Sequence, residues 1–139
     1  MEKLDSIFMS AFTIIAVLCT LDILTTNHVI SNSIGYESNE ALAAVIGKEF
    51  YMFKYFTTLA IVAGIAHLCR KNRNLEITSY TTLISFYSII VLNNMAVIFA
   101  NTDLNLNLLK LFIIFGFMFI LFNLLINAKK RKFRTQFRN

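Results

Sequence analysis

The sequence predicts an all-α protein: a transmembrane four-helix bundle with a short interfacial helix after the first span. Three observations carry that expectation. Hydrophobic residues make up 57% of the 139 residues and charged residues only 15%, with a mean hydropathy of +0.64. A soluble domain holds about 45–50% apolar and about 25% charged residues. Apolar runs long enough to cross about 30 Å of hydrocarbon, at about 1.5 Å per residue, recur along the chain. Finally, Lys and Arg gather in those connections that would share one side of a bilayer.

The expected membrane domain covers residues 1–128, with spans at about 7–30, 50–69, 77–100 and 106–127, and a basic tail follows at 129–139. The first run exceeds the roughly 7–15 apolar residues of a cleaved leader and lacks a clear small-x-small site after it. It therefore reads as a retained helix. A polar connection follows, with Asn32, Gly35, Glu37, Asn39, Glu40 and Glu49. Within it, residues 40–47 suit a short helix, capped by Ser38 or Asn39 and ended by Gly47. That piece is too short to span and would lie on the interface or dip into it.

The second span stops at Arg70-Lys71-Asn72-Arg73, and a polar turn, Asn101-Thr102-Asp103, separates the third from the fourth. Lys129-Lys130-Arg131-Lys132 then opens the tail. The chain has no Pro to kink these runs and no Trp for an interfacial belt. Tyr36, Tyr51 and Tyr80 fall near expected helix ends and are the candidates for that belt. Cys19 and Cys69 stand alone inside apolar runs, as small core residues do.

Four spans put the N-terminus, the 70–73 connection and the tail on one side. That side collects Lys3, Arg70, Lys71, Arg73, Lys129, Lys130, Arg131, Lys132, Arg134 and Arg138, while the opposite connections hold only Lys48. The positive-inside rule then gives a multi-pass protein of the cell membrane with both termini cytoplasmic.

Ionisable residues inside hydrocarbon cost about 2.5–3.5 kcal/mol each on insertion scales, so each one asks for a partner. Asp22 lies roughly 12 Å below the outer surface in the first span, with Thr25 and Thr26 on its face at i+3 and i+4. Lys54 lies roughly 6 Å into the second span, with Thr57 and Thr58 in the same relation. Sequential antiparallel spans are neighbours, so an Asp22–Lys54 ion pair is expected, with Glu37 as a rival partner for the lysine. Asn93 and Asn94 sit in the outer half of the third span, with Ser79 and Thr82 on the Asn93 face. The expected outer cluster is thus Asp22, Thr25, Thr26, Lys54, Thr57, Asn93 and Asn94, with Glu37 and Asn39 above it. In the fourth span Gly116 allows close helix approach, Asn123 and Asn127 can bond across helices, and Lys110 can snorkel to the interface.

These residues resemble the pattern of a family of small prokaryotic polytopic membrane proteins of unknown function. Leu21-Asp22-Ile23-Leu24-Thr25-Thr26, then Gly35-Tyr36-Glu37-Ser38-Asn39, then Lys54, is similar to that family's Asp-x-x-Thr, Gly-x-Glu-x-Asn and Lys. The resemblance covers roughly residues 12–95. It departs at Glu40, where the family usually has proline. What it implies is a fold and a motif rather than an activity.

The common catalytic signatures are missing. With four Gly there is no phosphate-binding loop, dinucleotide fingerprint or nucleophile elbow, and no H-E-x-x-H occurs. His28 and His67 lie towards opposite ends of the membrane, and His67 and Cys69 point to different helix faces. No cofactor, metal site or catalytic residue is expected. The net charge of +5 is concentrated in the tail, which suits anionic lipid rather than nucleic acid. The leading expectation is a transport or channel-like protein with its ion or solute site in the outer cluster. A structural or accessory subunit, partnered by its own copies or by a larger membrane complex, is the alternative. A membrane enzyme acting on a lipid comes third.

Overall fold

The computed structural model describes residues 2–32 and 48–136, with side chains described over 6–32 and 49–129. Four helices make up these parts: α1 (Glu2–Ser31), α2 (Lys48–Leu68), α3 (Arg73–Ala100) and α4 (Leu108–Gln136). All four are long and apolar enough to cross a membrane. The chain is thus an all-α multi-pass membrane protein. The expected interfacial helix at 40–47 lies outside the described residues.

Three helices run further than their apolar runs suggest, and α1 begins at Glu2 rather than near residue 7. α3 starts at Arg73 rather than near residue 77, because Asn72 caps it: its side-chain oxygen accepts a hydrogen bond from Leu75 N–H at 3.3 Å. Glu76 therefore sits inside the first helical turn, where a carboxylate suits the helix dipole. α4 continues through the basic segment to Gln136, since Lys and Arg are good helix formers and cations favour a helix C-terminus. α3 is capped by Asn101, which adopts the left-handed conformation (φ 51°) that asparagine tolerates. The N–H groups of Asn101 and Thr102 both reach Ala96 O and close the helix end.

α3 organises the bundle. It touches α1, α2 and α4, and α1 also touches α2. Among the described residues α4 packs on α3 alone. One stripe of α3 faces α1 and α2: Glu76, Tyr80, Leu83, Tyr87, Val91 and Asn94, at steps of three or four residues. Leu83 and its two tyrosines join Ala11, Ile15 and Cys19 of α1 and Val62 of α2 in the core. A second stripe meets α4. Asn74 Nδ2 donates to Asn127 Oδ1 at 3.1 Å, and Asn127 in turn donates to Asn123 at 2.7 Å. Phe86 and Phe115 meet edge to face with ring centroids 5.4 Å apart. Thr78 and Thr82 lie buried between those two contacts, each hydroxyl bonded to the carbonyl one turn earlier.

Two expectations change. Tyr80 is no belt residue: with α3 starting at Arg73, its ring is buried in the core and its hydroxyl donates to Val62 O at 3.5 Å. Gly116 makes no close approach either, since a side chain there would meet nothing within 4 Å. Its surroundings on α4 are exposed apolar residues such as Phe112, Ile113, Phe117 and Ile120. Such residues meet lipid tails, which are as apolar as the side chains themselves. Lys110 Nζ reaches back to the turn before α4 and donates to Asn105 O at 2.8 Å.

This packing separates two kinds of apolar residue. Ile15→Ala leaves a cavity among three helices and lowers stability by about 2–5 kcal/mol. Phe112→Ala removes only lipid contact and changes it by less than about 0.5 kcal/mol. Unfolding of both variants by SDS titration from mild detergent micelles checks the contrast.

Candidate functional site

Asp22 is the centre of the polar cluster. It lies on the face of α1 turned to α2 and α3, and its side chain is 1% exposed. Lys54, in the second turn of α2, places Nζ 2.7 Å from Asp22 Oδ2, with its own side chain 29% exposed. The expected pair is therefore formed, and it is lopsided. The anion is sealed in, while the cation keeps contact with the surroundings, as a long apolar stem permits.

The other carboxylate oxygen is held by hydroxyl and amide. Thr26 Oγ1 donates to Asp22 Oδ1 at 3.2 Å, and Asn94 Nδ2 of α3 approaches the same oxygen at 3.3 Å. Asn94 Nδ2 also lies 3.1 Å from Thr25 Oγ1 and 2.9 Å from Thr26 Oγ1. An amide nitrogen carries two hydrogens, so three acceptors compete for them. Thr25 spends its own hydrogen on Leu21 O at 2.8 Å, which leaves its oxygen free to accept from Asn94. The donors and acceptors thus run in one consistent direction, from α3 into the carboxylate on α1.

One turn inward lies a second polar layer. Thr58 follows Lys54 at i+4 and donates its hydroxyl hydrogen to Lys54 O at 2.8 Å. Its oxygen therefore accepts from Tyr87 Oη at 2.6 Å and from Cys19 Sγ at 3.8 Å. Tyr87 and Cys19 belong to this layer; from sequence Cys19 is expected only as a small core residue, and Tyr87 is not singled out. Their signal was the helical phase: Cys19 is at i−3 from Asp22, and Tyr87 is seven residues before Asn94, both on the same face as those residues.

The remaining expected residues divide. Asn93 does not join the cluster, because adjacent helical residues diverge by about 100° and Asn94 takes the inward direction. Asn93 instead holds the turn after α3, donating to Asp103 Oδ1 at 3.3 Å and accepting from Leu104 N–H at 2.9 Å. Thr57 is exposed where Thr58 is buried, for the same reason. Glu37 and Asn39 lie outside the described residues. Among the described residues, no three His, Cys, Asp or Glu side chains gather as a metal-binding group.

A second buried carboxylate lies at the opposite end of the bundle. Glu76 is 1% exposed and sits 3.8 Å from Arg73 Nη1, whose side chain is 34% exposed. The sequence reading passed over it by placing the start of the third span after it.

A family model described as a domain of unknown function, DUF5658, matches residues 13–100. The chain belongs to this family. The match takes in α1 from residue 13 onward, together with α2 and α3, and ends on the last residue of α3. It thus holds every helix that contributes to the Asp22 cluster and leaves out α4, which packs on α3 alone. Neither the curated proteins nor the solved structures compared with the chain contain a match.

The lopsided burial makes the pair's energetics unequal. Lys54→Met strands a sealed carboxylate and destabilises by about 3–5 kcal/mol. Asp22→Asn leaves a lysine whose stem can carry the ammonium outward, so it costs about 1–2 kcal/mol. The double variant falls close to Asp22→Asn alone. Thermal unfolding of the four proteins in detergent measures this cycle.

Proposed function

We propose that this chain is a small transport-type membrane protein whose ion or solute site is the cluster around Asp22 and Lys54. The observation that supports the reading is the unequal burial of the pair: an enclosed carboxylate with a counter-ion that reaches its surroundings. A lysine stem has the freedom to swing away, and a carboxylate so uncovered is a site for an exchanging cation. Intramembrane charges mark ion and substrate paths, and this one is expensive to maintain. The arrangement of Lys and Arg supports placing both termini in the cytoplasm and Asp22 in the outer half. Lys129, Lys130, Arg131, Lys132 and Arg134 then lie against the anionic inner leaflet.

A second reading has its own support. Asn94 ties α3 to α1 through three acceptors, which is how polar residues lock helices in an accessory subunit.

Flux separates the two. Purified full-length protein in liposomes is expected to dissipate an imposed gradient of a monovalent cation, and Asp22→Asn, which folds, is expected to abolish that flux. An inert wild type that copurifies with another membrane protein supports the accessory reading instead.

A further inference from the structure

α4 is the least secured helix of the bundle. Among the described residues it packs on α3 alone, and no residue of its most apolar stretch is buried. One of its few polar fastenings is the bond from Asn74, the second residue of α3, to Asn127. That bond lies at the most basic end of the chain. Arg70 and Lys71 stand four and three residues before Asn74, both exposed in the connection from α2. On the other side of the bond, Lys130 and Arg134 follow Asn127 at i+3 and i+7. They continue the stripe of α4 on which Asn123 and Asn127 lie. Lys129 and Lys132, at i+2 and i+5, fall off that stripe. Two pairs of cations, on separate elements, thus flank one interhelical hydrogen bond.

Arg73 is not among them, because it pairs with Glu76. Glu2 and Asp5 open α1 at the same end with Lys3 between them, but α1 does not touch α4. Like charges that packing holds together repel one another. An anion shared by the two pairs relieves that repulsion and fastens α4 to α3.

Each pair also stands where exposed apolar surface ends. Leu68 lies two residues before Arg70 and is 82% exposed. Leu121, Leu124 and Leu125 are exposed on α4 in the two turns before the basic segment. A soluble polyanion would engage the cations alone. A phospholipid engages both features, with phosphate at the cations and chains along the leucines. Basic pockets between membrane helices take such headgroups.

We propose that this end of the bundle binds a phospholipid with two phosphates and four acyl chains, the cardiolipin class. One phosphate sits at Arg70 and Lys71 and the other at Lys130 and Arg134, each with its own pair of chains on the neighbouring leucines. The lipid clamps α4 to the three-helix unit. This site shares no residue with the Asp22 cluster and does not depend on the transport reading.

Binding is read by native mass spectrometry of the full-length protein in mild detergent, titrated with cardiolipin or with phosphatidylglycerol at equal phosphate. The thermal transition, followed in parallel, reports both stabilisation and the folding of each variant. Wild type is expected to hold one cardiolipin at least about tenfold more tightly than phosphatidylglycerol, and to unfold at a higher temperature with it. The double variants Lys130→Gln/Arg134→Gln and Arg70→Gln/Lys71→Gln are each expected to weaken cardiolipin binding at least about tenfold. Lys129→Gln/Lys132→Gln removes the same charge off the stripe and is expected to weaken it less than about threefold. Arg70→Gln/Lys71→Gln lies between helices and decides the matter if the variant in α4 does not fold. An equal loss in Lys129→Gln/Lys132→Gln makes the attraction diffuse and overturns the site. Phosphatidylglycerol held as tightly as cardiolipin overturns the two-phosphate bridge. Binding without a rise in the thermal transition overturns the clamp, and pyrophosphate that competes as well as the lipid overturns the lipid as occupant.

Discussion

A carboxylate sealed inside a membrane helix bundle needs a cation, and much of this structure follows from that need. Asp22 fixes which face of α1 turns inward. Lys54 fixes the phase of α2 against it, and Asn94 fixes the phase of α3. Once those three faces are set, Cys19, Thr58 and Tyr87 meet one turn below, and Ile15, Val62 and Leu83 fill the core beneath them. Apolar residues alone would not select this arrangement, because lipid tails solvate them as well as other helices do. Polar contacts with direction select it.

The same contacts explain the two-part build of the chain. The family match ends where α3 ends, and the helices inside it are those that share the Asp22 cluster and the core. α4 is fastened to α3 by the asparagine ladder at one end and the Phe86–Phe115 contact further along, with no residue of its most apolar stretch buried. It reads as a helix added to a three-helix unit. Its added part is also the most basic, so the fourth span both brings the tail to the cytoplasmic face in the proposed orientation and anchors it there.

Much of this was legible in the sequence, and the misses share a cause. Four spans followed from run length, because a bilayer imposes a minimum on every crossing. Asp22 and Lys54 stood out because charge in hydrocarbon is costly, and their depths matched. The choice between neighbours was lost. Asn93 or Asn94, and Thr57 or Thr58, differ only in direction around the helix, and a list of polar residues carries no direction. The stripe from Glu76 to Asn94 holds it, but that stripe begins at a residue the apolar runs excluded. Glu76 was hidden because span limits were drawn from hydropathy, whereas α3 begins at its cap, Asn72. Tyr80 was misassigned by the same displacement.

The most direct test of the central ion pair is isotope-edited infrared spectroscopy of the full-length chain in lipid nanodiscs near neutral pH, taken as wild type minus Asp22→Asn. The pair described here predicts a carboxylate band for Asp22 and no protonated carboxyl band. A protonated carboxyl band that disappears in Asp22→Asn would mean that a neutral acid sits beside the lysine, and the bundle would then be organised by hydrogen bonds without the charge pair.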